Sequence, residues 1–335
     1  MNIYFGYYPE LYFGEGGLQT QINETKRALE RKGINVYHYY EYNPKTSPKI
    51  DVYHQFSVEP SCKTISEFFV KNSKANLLST VFNHGFKNHE VVLLKLLNQL
   101  PGNYFNIQTK KNMFFSFDHH VFLGHKERLK CNHFFGKSND YTMIPNGLTC
   151  STSMLSDEKG EYLVHIANIY PLKNQSYAID LAYAMGLKLI LIGDIRDKAY
   201  YDLCLNKAQE KCVNIEHVGF LDNSSITFKR IVAEAKFTII PSFNEVLPLV
   251  AFESLMLGTQ VICTNNCSID DYLDYECGVL TFDPLQPASN LVQEATKFLE
   301  YPHDFHVIQN LLSHEYSWDG VADKLISIYE KLLSR

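Results

Sequence analysis

The chain has 335 residues, of which 45% are hydrophobic and 20% are charged, and its formal net charge is −6. This length suits two domains, and no apolar run approaches the ~20 residues of a membrane-spanning helix. Because Met1 leads directly into apolar residues without a basic segment or cleavage site, no signal peptide is predicted. The eight cysteines are scattered without the spacing of a metal site, so we expect reduced thiols in the cytoplasm.

The first 150 residues have the pattern of a parallel α/β domain. Strands are predicted at 2–8, 34–39, 50–55, 76–82 and 119–122. A glycine-rich turn at 14–17 opens a predicted helix over 18–32, and a further helix is predicted at 91–100. Free N–H groups at the start of a helix suit anions, although glycines in such a turn usually serve only the turn.

Two histidines are predicted at the carboxyl ends of neighbouring strands, His54 at the end of the third strand and His84 after the fourth. Open parallel sheets bind their ligands at this edge. One such histidine is more often structural, with its ring bonded to a backbone carbonyl, but two at equivalent positions favour a cleft.

The second half begins after a turn signal at 144–147 and a polar run at 149–160, which place a domain boundary near residue 150. Strands at 162–167, 187–192 and 213–218 then alternate with helices, as in a second Rossmann-like domain. Lys173 precedes a helix that follows a strand. A cation and a helix dipole can meet a diphosphate there, although a lone lysine is usually just solvated.

The most informative stretch is PSFNEVLPLVAFESLMLGTQVI, residues 241–262, which follows a predicted buried strand at 237–240. Pro248 suits the first position of a helix, and Gly258 suits the position just past its end. Glu245 lies in the loop beyond the strand, on the ligand edge. Glu253 points from an apolar helix face, where a carboxylate needs donors such as sugar hydroxyls, unless it is a structural glutamate bonded to a backbone N–H or a lysine.

This stretch resembles the donor-sugar signature of glycosyltransferase family 4, whose members are retaining enzymes of the GT-B fold. It keeps the Pro-Ser pair at 241–242, both glutamates, Gly258 and Val261, and it departs at 246–248 and at Gln260. The resemblance implies an α/β protein with two Rossmann-like domains, whose parallel sheets face each other across a cleft. Residues 1–150 form the acceptor-side domain, 151–316 bind the nucleotide sugar, and 317–335 form a helix that crosses back to the first domain or caps its own.

The resemblance also implies roles for individual residues. Glu245 holds donor-sugar hydroxyls, Glu253 the ribose and Lys173 the diphosphate, while His84 and His54 lie on the acceptor side. The implied catalytic residues are His84, Glu245 and Lys173, and the implied donor-binding residues are Gly16, Gly17, Asn168, Lys173, Glu245, Leu247, Pro248, Leu249, Val250 and Glu253. Asn168 stands where the family carries Arg, so either Lys173 suffices, another cation such as Arg196 reaches in, or activity is weak or absent.

The function that follows is retaining transfer of a hexose-type sugar from a nucleotide diphosphate sugar to an acceptor hydroxyl, in the synthesis of surface polysaccharide, lipopolysaccharide or glycolipid. No Asp-x-Asp motif appears, so neither a metal nor another cofactor is expected. The alternatives are an inactive nucleotide-sugar-binding subunit, to which Asn168 points, and a GT-B epimerase or phosphorylase. The sequence does not specify the base, the sugar or the acceptor.

The charge of the chain is unevenly distributed. Residues 1–150 hold 17 Lys and Arg against 12 Asp and Glu, whereas the remainder holds 14 against 25. The basic half predicts either a peripheral contact with anionic membrane at the inner face or an ordinary solvated surface, and nucleic acid is disfavoured by the negative total. The candidate cluster is Lys63, Lys71, Lys74, Lys87, Lys95, Lys110, Lys111, Lys126 and Arg128, interleaved with Phe68, Phe69, Phe86, Phe114 and Phe115.

Overall fold

The computed structural model describes residues 1–13, 16–82, 106–148, 156 and 158–335. It divides the chain into two compact units, the first made of Met1–Gly147 with Tyr316–Arg335 and the second of Leu148–Glu315. His84, Phe86 and the helix predicted at 91–100 lie outside the described residues.

The described residues form regular strands and helices in alternation. The strands are β1 Asn2–Gly6, β2 Asn35–His38, β3 Val52–Phe56, β4 Ala75–Ser79, β5 His119–Phe122, β6 Tyr141–Met143, β7 Tyr162–Ile166, β8 Lys188–Ile192, β9 Ile215–His217, β10 Phe237–Ile240, β11 Val261–Thr264 and β12 Val279–Phe282. The helices of eight or more residues are α1 Gly17–Arg31, α2 Lys63–Asn72, α3 Ile107–Phe114, α4 His125–Phe134, α5 Gln175–Met185, α6 Lys198–Glu210, α7 Ile226–Ala233, α8 Leu249–Met256, α9 Ala288–Glu300, α10 Phe305–Glu315 and α11 Trp318–Leu333.

Each unit contains one six-stranded parallel sheet. The order is β2-β1-β3-β4-β5-β6 in the first unit and β12-β11-β10-β7-β8-β9 in the second. The chain therefore builds outward from β1 in one direction and then the other, and it does the same from β7. Open sheets of this kind bind ligands beyond the carboxyl ends of the two strands at which the order reverses, which are β1 and β3 in the first unit and β7 and β10 in the second.

The strands of the sequence-based prediction are present, with ends that differ by a few residues. β3, β4, β10 and β11 are buried along their whole length, as expected of parallel strands covered on both faces. The prediction did not include α2, α3, α4, β6, β12, α9 or α10. In α4 the apolar residues show almost no helical periodicity, so the pattern that predicts helices elsewhere is missing there.

The chain-terminal helix α11 packs within the first unit, against α1 and β4. Its buried face contains Trp318, Leu325 and Tyr329. Two ion pairs also join α11 to the C-terminal end of α1. They are Arg31–Asp319 and Lys32–Asp323, each at 2.6 Å. In the part of the chain that the structure describes, no helix is both long enough and apolar enough to span a membrane.

Candidate functional site

The candidate site lies in the second unit, where the loops after β7 and β10 meet at the reversal of strand order. The Asn174 side-chain amide donates to the Pro241 carbonyl (3.1 Å), and the Phe243 N–H donates to the Leu172 carbonyl (2.9 Å). Asn174 has a left-handed backbone (φ 56°), which Asn adopts more readily than most residues. These contacts fix Lys173 beside the loop that carries Glu245.

Lys173 and Glu245 form an ion pair, with Nζ 2.5 Å from Oε2. Their side chains are only 20% and 19% exposed. Burial alone lowers the pKa of Lys173, but the neighbouring carboxylate more than offsets this and the net shift is upward, so Lys173 keeps its charge. The sequence assigned these two residues to different parts of a donor, and the structure brings them together.

Glu253 lies on α8 and is half-buried. Its Oε1 accepts a hydrogen bond from Nδ2 of Asn223 at 2.8 Å. Burial raises the pKa of Glu253, and the bond from Asn223 opposes that rise. Sequence analysis did not identify Asn223, although it stands in a polar turn between β9 and α7, at the carboxyl edge of the same sheet.

The segment between the two glutamates leads into α8. Pro248 caps the helix with an extended backbone (φ −72°, ψ 116°), so the first helical residue is Leu249 and not Pro248 as predicted. Leu247 and Pro248 are buried, while Leu249 and Val250 are half-buried. The first N–H groups of α8 therefore lie between Glu245 and Glu253 in sequence, on the ligand edge of the sheet.

Several buried polar atoms around these loops have no hydrogen-bond partner among the described residues. They include Ser242 Oγ, Asn244 Oδ1 and both ring nitrogens of His165 in β7. Burial, with a smaller effect of Lys173, lowers the pKa of His165 to about 3, so its imidazole is neutral. Unpaired buried polar groups are costly, and groups at a ligand edge that lack partners are available to a ligand or to water. Sequence analysis did not single out His165, because a histidine within an apolar strand reads as packing.

Asn168, which stands at the family's Arg position, is held by neighbouring loops. Its Oδ1 accepts from the N–H of Asp194 (3.2 Å), and its carbonyl accepts from Nε2 of Gln175 (3.0 Å). Arg196 lies in the loop after β8, next to this position, with its guanidinium 3.5 Å from the Asp194 carboxylate.

In the first unit the prediction for His54 needs correction. The strand continues to Phe56, so His54 lies in its middle and is fully buried instead of standing at the carboxyl end. Nδ1 is 2.7 Å from the Tyr329 hydroxyl and Nε2 is 2.8 Å from the Ser79 hydroxyl. With both ring nitrogens engaged, His54 joins α11 to the sheet and is not available to an acceptor.

Gly16 and Gly17 lie at the start of α1, on the loop after β1, and both are exposed. Gly16 has an extended backbone (φ −176°), and a Cβ placed there would meet no atom within 4 Å. Neither conformation nor packing within the described residues therefore requires a glycine at position 16. His84 lies outside the described residues.

A polar pocket of about 210 Å³ lies apart from these residues, at the carboxyl ends of β11 and β12. Asp283 and Glu294 line it, and none of its described lining residues is basic. A diphosphate would be repelled there, so the Lys173 side of the sheet is the better anion site.

The second unit is similar in sequence to known glycosyl transferases. Residues 151–310 match the family model described as glycosyl transferases group 1. A protein described as an uncharacterized glycosyltransferase of Methanocaldococcus jannaschii is 24% identical over 148 residues, which cover 43% of this chain. The match spans only 37% of the length of that curated relative.

Solved structures resemble the whole chain. The sucrose-phosphate synthase of Thermosynechococcus elongatus has a TM-score of 0.75 at 13% identity and covers 99% of both chains. HepE of Anabaena in complex with UDP has a TM-score of 0.72 at 11% identity, covering 99% of this chain and all of its own. The same protein has been solved with UDP-glucose. These similarities confirm the GT-B fold that the sequence predicted.

Proposed function

We propose that this chain, whose residues 151–310 carry a group 1 glycosyl transferase domain in a GT-B fold, transfers a hexose-type sugar from a nucleotide diphosphate sugar to an acceptor hydroxyl with retention. The observation that carries the proposal is the ion pair of Lys173 and Glu245 at 2.5 Å, at the reversal of strand order. A cation and a carboxylate in contact, largely shielded from water, suit a ligand that is a phosphate at one end and a polyol at the other.

In this proposal the donor replaces the internal ion pair. The diphosphate takes Lys173 as its partner, which releases Glu245 to accept hydrogen bonds from sugar hydroxyls. Glu253 accepts from the ribose hydroxyls, with Asn223 holding its carboxylate in place. The N–H groups that begin α8 supply further donors for the phosphates.

Leaving-group stabilisation is the main help that these residues give to the chemistry. As the bond from the anomeric carbon to the diphosphate breaks, negative charge grows on the phosphate oxygens, and Lys173 with the helix N–H groups stabilises it. The acceptor hydroxyl attacks from the face that the diphosphate leaves, and its proton passes to the departing phosphate oxygen. We assign no protein nucleophile, no metal and no other cofactor to this reaction, and we expect activity to survive EDTA. His84 remains the proposed residue on the acceptor side.

The first test is a thermal-shift panel of UDP, GDP, ADP and CDP and their hexose conjugates. UDP is the first candidate because a protein of the same fold was solved with UDP and with UDP-glucose. A ligand at 100 times its Kd adds ~2.7 kcal/mol to the free energy of unfolding. If no nucleotide sugar stabilises the protein, the proposal is wrong, and if one binds but is never hydrolysed or transferred, the chain is a binding subunit. NMR of the product then reports whether the anomeric configuration is retained.

Substitutions of the two glutamates distinguish a role in nucleotide binding from a role in turnover. We expect Glu253→Gln to weaken affinity for the free nucleotide about tenfold, because an amide replaces one acceptor of the ribose hydroxyls. We expect Glu245→Gln not to weaken that affinity, because Lys173 then has no competing carboxylate, and to lower turnover by ~10²-fold. Glu210→Gln, at an exposed end of α6, is the control. Normal nucleotide affinity in Glu253→Gln would refute the ribose role.

We further propose that the acceptor is a glycan or lipid-linked molecule, met by the first unit at the cytoplasmic face of an anionic membrane. Phe68 and Phe115 are 44% and 48% exposed there, which suits insertion among lipids, whereas Phe69 and Phe114 are buried in the core. Lys63, Lys74 and Lys110 pair with acidic residues, which weakens the basic character of the cluster.

Co-sedimentation with phosphatidylserine vesicles at low and high salt tests the membrane contact. We expect binding that salt weakens and that Phe68→Ser and Phe115→Ser reduce, since each removes an apolar contact. The solvent-facing Tyr183→Ser in the second unit is the control, as its ring is 57% exposed. Absence of binding at low salt would leave a water-soluble acceptor.

A further inference from the structure

We infer that Arg196 supplies the second positive charge of the donor diphosphate site, in place of the arginine that Asn168 replaces. This inference rests on the proposed function, because it names a further residue of the same site. It assigns to this chain a cation from the loop after β8, where the resemblance implies one from the loop after β7.

The charge of the ligand is the first reason. A nucleoside diphosphate carries at least two negative charges, and Lys173 is the one basic residue in the described loops at 167–174 and 241–248. The adjoining loop at 193–197, after β8, contains one basic residue, Arg196. β8 is the neighbour of β7 on the side away from β10, so its loop borders the same edge.

Backbone hydrogen bonds hold Arg196 close to position 168, where Asn stands in place of the family's arginine. The N–H groups of Arg196 and Asp197 both donate to the Ile169 carbonyl, at 3.0 and 3.1 Å, and the Ile169 N–H donates to the Asp194 carbonyl at 2.7 Å. Ile169 directly follows Asn168. The guanidinium of Arg196 therefore starts from a backbone that is bonded to the residue next to the family's arginine position, and its long side chain can turn toward the phosphates.

Asn168 has a role in this arrangement that arginine cannot fill. Its Oδ1 accepts from the Asp194 N–H and so helps to hold the loop that carries Arg196. Arginine has donors but no acceptor on its side chain. The exchange at position 168 thus removes a charge from one loop and adds a bond that positions the charge on the next.

Arg196 is also available to a ligand. Its pair with Asp194 is 3.5 Å long, and the two side chains are 40% and 49% exposed. Exposed pairs of this kind are weak, whereas arginine binds phosphate through two parallel hydrogen bonds. A diphosphate at the site would therefore replace Asp194 as the partner of Arg196.

The test compares a nucleoside diphosphate with its nucleoside. The probe is whichever of UDP, GDP, ADP and CDP binds the wild-type chain most tightly, measured by calorimetry beside the matching nucleoside. The variants are Arg196→Gln and Arg196→Lys, with Arg230→Gln, an exposed residue on α7, as the control that removes the same charge elsewhere. Unfolding midpoints check that each variant is folded.

We expect Arg196→Gln to weaken the diphosphate about tenfold or more and to change the nucleoside less than twofold, because only the phosphates meet the guanidinium. Arg196→Lys should lose less, and Arg230→Gln should match wild type. Unchanged diphosphate affinity in Arg196→Gln, or an equal loss for diphosphate and nucleoside, would overturn the role of Arg196 alone. If the wild-type chain binds none of the four diphosphates, the proposed function fails, and the inference fails with it.

Discussion

Two buried histidines show how differently the same residue is used in the two units. Burial lowers the pKa of both His54 and His165 to about 3, so both rings are neutral. His54 bonds two hydroxyl groups, of Tyr329 and Ser79. Neither ring nitrogen of His165 has a partner among the described residues. One imidazole therefore holds its unit together, whereas the other is an unpaired polar group next to the candidate site.

Replacing each ring by leucine separates these roles. We expect His54→Leu to lower the free energy of unfolding by about 2–4 kcal/mol, because two buried hydroxyls lose their partner. We expect His165→Leu to be neutral or stabilising by up to about 2 kcal/mol, because it removes unpaired polar atoms. Urea unfolding at pH 7.5 measures both. A strongly destabilising His165→Leu would mean that the ring is bonded to water or to another group.

The low pKa values of the two histidines predict how the stability of the protein changes in acid. Both histidines bind a proton near pH 6.5 when unfolded but only near pH 3 when folded, so stability falls as pH drops through this window. Glu127 acts in the opposite sense between about pH 4.5 and 7, because burial raises its folded pKa to about 7. Between pH 6.5 and 5 we expect His165→Leu to gain up to about 1.4 kcal/mol per pH unit over wild type. Parallel stability curves for the two proteins would contradict this.

At the scale of elements, the second unit was predictable where local chemistry decides the structure. The strand at 237–240 and the turn to α8 follow from a β-branched run, Pro248 and Gly258, and Gly258 indeed has φ +74°. The partners across the sheet edge were not predictable. Asn223 comes close to Glu253, and His165 to Lys173, only through the strand order, which hydrophobic periodicity does not encode. The resemblance added the roles of single residues but not the ion pair between them.

Gly193 lies where the loops after β7 and β8 meet and leaves no room for a side chain. Its φ is +140°, and a Cβ there would lie 2.3 Å from the Ala167 carbonyl oxygen. We expect Gly193→Ala to cost at least about 2 kcal/mol and to weaken nucleotide binding, since Asn168 and Arg196 would be displaced. Gly186→Ala is the control, because it has φ +67° and open space, and we expect a loss of about 1 kcal/mol with normal binding. Equal effects of the two changes would argue against a packing role for Gly193.

At the scale of the whole molecule, the first unit is assembled from two separate parts of the chain, Met1–Gly147 and Tyr316–Arg335. Trp318 packs so closely on Gly147 that a Cβ on that glycine would lie 2.5 Å from the indole ring. Tyr329, on the same helix, is fully buried against the ring of His54. The sequence left open whether the helix caps its own domain, because both arrangements bury the same amphipathic face.

Removal of residues 316–335 should therefore damage the unit that is distant in sequence. We expect faster hydrogen exchange in β1, β3 and β4 and unchanged exchange in β7, β8 and β10, since α11 packs against α1 and β4 of the first unit. Tyr329→Phe, which removes one hydroxyl and keeps the ring, should give a small change of the same kind. Faster exchange confined to the second unit would contradict the prediction, because it would mean that α11 stabilises the second sheet and not the first.

The divided first unit also has a consequence for how the protein is made. The ribosome synthesises β1 to β6 first, then the whole second unit, and only afterwards the helix that covers the first sheet. At ~5–20 residues per second, the nascent first unit waits roughly 10–30 s with the surface that α11 covers still bare. The second unit is continuous and has no such delay. We therefore expect the half that is translated later to reach its native structure first, and a nascent chain arrested at residue 315 to be the species that chaperones bind.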